Sequence, residues 1–268
     1  MKYTCGFIGC GNMGGALIRA AAKALSPDMI AISNRTPEKA QTLKSELGVI
    51  HTENGDIAEN AKFIFLGVKP QMMADVLSSV APVLKIRNEP FILVTMAAGL
   101  TMEAITKMAG GEYPVIRIMP NTPASVGEGM TLLCANDFVA KETLEEFKAI
   151  LAYSGILDKL PEALIDAGSA VSGCGPAFAY LFLEALADGG VQCGLPRDKA
   201  ILYAAQTLLG SSKLLLSSGK HPGQLKDAVC SPGGTTIAGV HALEKGSFRA
   251  AASEAVLASY KRTLELKK

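Results

Sequence analysis

Six residues near the start, Gly9-Cys10-Gly11-Asn12-Met13-Gly14, constrain this chain more than any other feature. A G-x-G-x-x-G is weak by itself. Here it directly follows the apolar run Cys5-Gly6-Phe7-Ile8 and directly opens an amphipathic helical pattern over 13–25. That strand–loop–helix setting is a dinucleotide fingerprint. Gly9 permits the tight turn, Gly11 lets the backbone approach a pyrophosphate, and Gly14 lets the helix lie close to the strand. The helix start then presents free N–H groups and a positive dipole end to the anion. The same glycines explain the sixteen uncharged residues between Lys2 and Arg19: five of them, with Asn12, deny the stretch the Leu-rich centre of a signal peptide.

The first 160 residues alternate two periods. Short apolar runs at 4–9, 29–33, 62–68, 91–96 and 115–119 read as buried strands. Helical periodicity fills 13–25, 37–47, 71–84 and 102–108. Strand, helix, strand at this spacing predicts right-handed crossovers and a mostly parallel sheet. Thr36-Pro37 opens one helix and Gly48 closes it. Segments 131–134 and 155–160 add edge strands. After about residue 160 strand signals vanish, and 174–190, 197–218 and 247–267 read as helices. The expected fold is α/β, a Rossmann-type doubly wound sheet over 1–160 followed by an all-helical dimerisation and substrate-binding domain over 161–268. Stretches such as 178–186 and 200–209 are apolar nearly all round, so helices from another subunit are expected against them. The longest uncharged run, 167–183, carries Gly168, Gly173, Gly175 and Pro176 and reads as too poor a helix to span a membrane.

Composition narrows the chemistry. Of 268 residues 49% are hydrophobic and 19% charged, which supports a real core rather than disorder. Lys plus Arg is 26 against 25 Asp plus Glu, and Trp is absent, so neither a nucleic-acid surface nor a base-stacking platform is expected. The cysteines at 5, 10, 134, 174, 193 and 230 form no C-x-x-C pair. They read as reduced thiols of a cytoplasmic protein with no metal. His51, His221 and His241 have no nucleophile motif beside them.

The second strand of an NAD-binding sheet ends in Asp or Glu, which accepts from the ribose hydroxyls. Here it ends Ser33-Asn34-Arg35-Thr36, with no carboxylate. Arg35 can pair with a 2′-phosphate that a carboxylate would repel, so NADP(H) is the expected preference, with NAD(H) a tolerated second form. Two further loops follow strands whose carboxyl ends should line the ligand crevice: Val68-Lys69-Pro70 and Ala97-Ala98-Gly99. In the second half, Ser231-Pro232-Gly233-Gly234-Thr235-Thr236 fits a helix start with Ser231 as the capping residue and Pro232 in the first turn. It reads equally as a seat for a small carboxylate or as a tight elbow between helices.

Together these stretches resemble the pyrroline-5-carboxylate reductases over essentially the whole chain. The likeness rests on FIGCGNMG at 7–14, SNR at 33–35, VKP at 68–70, MAAG at 96–99, IRIMPNTP at 116–123, SGCGPAF at 172–178, LADGG at 186–190, HPGQLKDAV at 221–229 and SPGGTTIAG at 231–239. The resemblance implies reduction of Δ1-pyrroline-5-carboxylate to L-proline by NAD(P)H. It implies that Ser231, Gly233 and Gly234 hold the substrate carboxylate, with Thr236, and Thr235 beside it, near the ring nitrogen. It places Asn54, the run Ile8, Gly9, Cys10, Gly11, Asn12, Met13 and the run Met96, Ala97, Ala98 against the cofactor. Ser169 stands where that family often has Thr, which keeps a hydroxyl near the expected pocket. Homodimers through C-terminal helices, and decamers beyond them, are further implications. Two related enzyme classes fit less well. A β-hydroxyacid dehydrogenase needs a Lys on the helix 176–188, which has none, and a ketol-acid reductoisomerase needs more carboxylates for magnesium than Glu184 and Asp188. A non-catalytic NADP(H) sensor would not need the 231–236 pocket.

Overall fold

A computed structural model describes residues 1–266. In chain order the first part reads β1 (Tyr3–Ile8), α1 (Asn12–Ala24), β2 (Ile30–Ser33), α2 (Pro37–Leu47), β3 (Ile50–His51), α3 (Asn54–Asn60), β4 (Ala61–Leu66), α4 (Met73–Ile86), β5 (Ile92–Thr95), α5 (Met102–Ala109), β6 (Val115–Met119), β7 (Gly129–Ala135), α6 (Lys141–Ile150), β8 (Gly155–Lys159) and α7 (Glu162–Ser172). All eight strands form one sheet in the order β3-β2-β1-β4-β5-β6-β7-β8. Neighbours are parallel from β3 to β6, β7 runs antiparallel to β6, and β8 is parallel to β7. The order reverses between β1 and β4, where ligands of open α/β sheets bind.

Strands β1, β2, β4, β5 and β6 are buried on both faces, which is why they read as continuous apolar runs rather than alternating ones. Phe7, Phe63, Phe65 and Phe147 pack on one side with Leu17, Ile18 and Leu43. Ile8, Ile64, Leu66, Leu77, Val80 and Ile105 pack on the other. Phe7 lies beside Phe65 in the β1–β4 register and stacks on it at 4.1 Å between ring centroids. Thr36 does precede α2 with Pro37 in its first turn, but its side chain makes no capping hydrogen bond, and Gly48 closes the helix.

By contacts within the chain, residues 1–174 with 259–266 form one compact unit and 175–258 a second. The second unit carries α8 (Gly175–Gln192), α9 (Arg197–Ser218), α10 (Pro222–Ala228), α11 (Thr235–Lys245) and the start of α12 (Phe248–Glu265). Only Ala187, Ala200 and Ala204 of its described apolar residues are fully buried. Leu181 and Leu216 stand 69% and 72% exposed. The expectation that no helix is apolar enough to span a membrane needs correction. An 18-residue stretch within Glu162–Gln192 has a mean hydropathy of 1.4, enough by length and composition alone to cross a membrane. Gly173 and Cys174 separate α7 from α8 within that run, while Gly175 and Pro176 sit in the first turn of α8, where proline is tolerated.

Candidate functional site

The loop after β1 is built as its spacing predicts. Gly9 has φ +110, and a Cβ there would lie 2.5 Å from the carbonyl oxygen of Gly67. A Cβ on Gly14 would lie 2.3 Å from the Gly9 carbonyl oxygen, so the first turn of α1 rests directly on the loop. Gly67, at the end of β4, closes the same spot by donating its N–H to the carbonyl of Ile8 (2.8 Å). Nothing stands within 4 Å of a Cβ built on Gly11, the position meant to face a diphosphate. Gly11 caps α1 without a side-chain hydrogen bond, and the first turn holds no acidic residue. The N–H groups at Asn12 and Met13 therefore keep their affinity for an anion. The cradle fits a dinucleotide.

The end of β2 is stitched to this loop. Asn34 Oδ1 accepts from the Cys10 N–H (2.8 Å), and Asn34 Nδ2 donates to the Thr36 carbonyl (2.8 Å). Ser33 donates to Asn54 Oδ1 (2.7 Å), which brings the first residue of α3 to the site. Both polar ends of Asn34 are thus used within the chain, and its part is to shape the loop. Arg35 is exposed and has no intrachain ion pair among the described residues. Asp56 anchors α3. Burial pushes its carboxyl up, but hydrogen bonds from Thr52, Tyr3 and Asn60 outweigh burial and hold it below the usual carboxylate range. Cys10 is buried, and burial pushes its thiol up to about 11, so it packs rather than reacts at neutral pH.

Val68, Lys69 and Pro70 leave β4 at the same edge, with Lys69 exposed. Met96, Ala97 and Ala98 leave β5, and the Ala97 N–H is held by Thr95 Oγ1 at 3.3 Å. The predicted cofactor residues thus gather at the carboxyl ends of β1, β2, β4 and β5.

In the second unit the expected cap is displaced. Ser231 does not cap a helix, and Pro232 does not lie in one. Residues 231–234 make a turn closed by the Gly234 N–H on the Ser231 carbonyl (3.0 Å), with Gly233 at φ +66. Proline then glycine at the centre of such a turn is type II chemistry, and the same residues imitate a helix start in sequence. Helix α11 begins at Thr235 with Gly234 as its cap, no side-chain cap and no acid in its first turn. Its amides are therefore unclaimed by side chains, and Ser231, Thr235 and Thr236 are exposed. A Cβ on Gly234 would come 2.3 Å from Ser231 Oγ, so the hydroxyl lies over the turn. A groove of about 510 Å³ runs from Gly233 and Gly234 along Ile237, Ala238, His241 and Glu244. Ser169, the other hydroxyl singled out, lies on α7 in the first unit.

Sequence reasoning missed two polar arrangements. His221 caps α10: its Nδ1 accepts from the Gly223 N–H (3.1 Å), while Gln224 Oε1 accepts from the His221 N–H (3.2 Å). The S/T-x-x-Q pattern of a capping box, with His as the first residue, was the available signal. Arg117 is 1% exposed inside β6 and pairs with Asp166 and Glu162 of α7. A cation in the middle of an apolar strand was its only trace. Among the described residues no three His, Cys, Asp or Glu side chains gather as a metal-holding group.

Comparison with known proteins agrees on one family. Residues 162–266 match a model described as pyrroline-5-carboxylate reductase dimerisation, and residues 4–99 match one described as NADP oxidoreductase, coenzyme F420-dependent. A pyrroline-5-carboxylate reductase of Pisum sativum is 40% identical over 99% of this chain and 96% of its own. A solved pyrroline-5-carboxylate reductase of Coxiella burnetii superposes with a TM-score of 0.91 at 33% identity, covering all of both chains. A pyrroline carboxylate reductase of Plasmodium falciparum, solved with NADP bound, superposes at 0.87 with 32% identity over 99% of this chain and 98% of its own.

Proposed function

The chain belongs to the pyrroline-5-carboxylate reductase family and reduces the C=N bond of Δ1-pyrroline-5-carboxylate to give L-proline; from that premise we propose how its own residues divide the work. One observation carries the proposal. Two of the helix starts, α1 and α11, each lie behind a glycine loop with neither a side-chain cap nor an acid in the first turn. The reaction brings two anions, a nucleotide diphosphate and a ring carboxylate. Each is assigned to one of these starts.

At α1 the backbone of residues 8–13 holds the diphosphate, with Ser33, Asn34, Arg35 and Asn54 around the adenosine end. Val68, Lys69, Pro70, Met96, Ala97 and Ala98 hold the nicotinamide end. When bound, the reduced nicotinamide supplies the hydride. At α11 the Ser231 hydroxyl and the Gly233 amide take the substrate carboxylate, while the Gly234 N–H, already on the Ser231 carbonyl, holds the turn that presents them. Thr236, beside Thr235, hydrogen-bonds the ring nitrogen. An imine is basic enough to be protonated from solvent, so Thr236 need only orient it and stabilise the amine as it forms. The small side chains at 97 and 98 leave room for the nicotinamide ribose.

NADP(H) is the preferred cofactor, with NAD(H) accepted more weakly. Arg35, exposed and uncommitted, supports this. Arg35→Ala should raise the KM for NADPH by about 10- to 100-fold, the loss of one bidentate charge-assisted pair, and leave that for NADH in place. Equal change for both cofactors would refute the assignment. The parent assay is loss of NADPH absorbance with pyrroline-5-carboxylate and recovery of proline. Failure to form proline would end the reading.

A second copy of the chain covers the apolar surface of α8, α9, α11 and α12. The match of 162–266 to a dimerisation model supports a homodimer, and the family's habit extends it to a decamer. Six free cysteines suit a reducing cytoplasm.

A further inference from the structure

The 96–101 segment is pinned at its far end by a residue that no motif contains. Its near end is held by Thr95 Oγ1 on the Ala97 N–H. Its far end is the start of α5, where Thr101 Oγ1 accepts from the Ala104 N–H (3.1 Å). The Met102 N–H, another donor that a helix start leaves open, goes to Glu162 Oε1 at 2.8 Å, sixty residues on in the chain. Glu162 is itself held. Arg117 Nη1 stands 3.4 Å from the same oxygen, and Arg117 Nη2 donates to Asp166 Oδ1 at 2.7 Å. Glu162 and Asp166 lie one turn apart on α7 and so face β6 together. With Arg117 and Asp166 almost fully buried, this pairing is fixed in place, because a lone buried charge would be costly.

We propose that Glu162, steadied by Arg117 and Asp166, is a positioning residue that fixes the 96–101 segment for the nicotinamide end of the cofactor. It acts through the Met102 amide and touches no ligand. The inference rests on the reading that 96–98 contacts the cofactor, and the test separates the two.

The full-length protein is compared with Glu162→Ala, Glu162→Gln and Ala98→Leu. Glutamine keeps an acceptor for the Met102 N–H and alanine does not. Two readouts are taken: NADPH and substrate KM values, and hydrogen exchange at the 96–102 amides in the cofactor-free protein. Glu162→Ala should raise the NADPH KM about fivefold, the usual worth of a lost helix cap, leave the substrate KM unchanged, and speed exchange at Met102. Glu162→Gln should restore most of both. If Glu162→Ala does not fold, Glu162→Met, similar in volume but without an acceptor, replaces it with the same expectations. An unchanged NADPH KM, an equal rise in both KM values, or no rescue by glutamine overturns the proposal. If Ala98→Leu raises the NADPH KM while Glu162→Ala does not, the inference alone falls. If Ala98→Leu also leaves it unchanged, the reading of the segment falls and the inference with it.

Discussion

Gly14→Ala should cost the protein its nucleotide while leaving it folded. The new Cβ would stand 2.3 Å from the Gly9 carbonyl oxygen, a backbone atom that no side-chain rotation can clear. Either the loop lifts from α1 or the helix start retreats. In both cases the N–H groups at Asn12 and Met13 no longer converge on one point. Losing two charge-assisted hydrogen bonds to a diphosphate weakens NADPH binding by about 100-fold or more. Over-packing at one buried site costs about 1–3 kcal/mol of stability, a loss of a few degrees in Tm rather than unfolding. The chain has no Trp, so the titration is best followed by the fluorescence of NADPH itself. Wild-type affinity in Gly14→Ala would mean that the loop is not the diphosphate seat.

The second large effect is expected at the turn before α11. Gly234 has φ −78, an ordinary value that alanine adopts freely, so strain in the backbone is not the issue. The added Cβ would meet Ser231 Oγ at 2.3 Å and turn the hydroxyl away from the turn. Gly234→Ala and Ser231→Ala should each raise the substrate KM by about 10-fold, one hydrogen bond to a charged group, with NADPH affinity unchanged. Both act through one hydroxyl, so the double variant should be no worse than either alone. Thr236→Ala should instead lower kcat, because its hydroxyl is assigned to the forming amine. Additive effects of the first two, or a shift in NADPH affinity, would contradict a carboxylate held by Ser231.

The periods involved decide which elements are legible in the residues. β1, β2, β4, β5 and β6 are plain because strands buried on both faces show as unbroken apolar runs. β3 has two residues and α3 seven, too short to show any period, and Asn54-Gly55 at the head of α3 reads as a turn. The sequence therefore hides the reason Asn54 matters, namely its grip on Ser33. Helix α6 is masked by its charge: it shows Leu144, Phe147 and Ile150 to the core and five charged residues elsewhere. Helix α7 escapes notice because its buried face mixes Ile165 and Ala170 with Asp166, and an acid there makes sense only once Arg117 is seen opposite. The turn at 231–234 shows a different limit. Ser-Pro serves a helix start and a type II turn equally well, and Gly233 at positive φ decides for the turn.

A crystal of the protein grown with NADPH and proline, the reaction's product, tests the two-seat account most directly. The account predicts diphosphate oxygens within hydrogen-bond distance of the amides at 11–13, and a carboxylate on the amides at 233 and 235 with Ser231 Oγ beside it. A proline carboxylate bound anywhere else, with those α11 amides left to water, would contradict it.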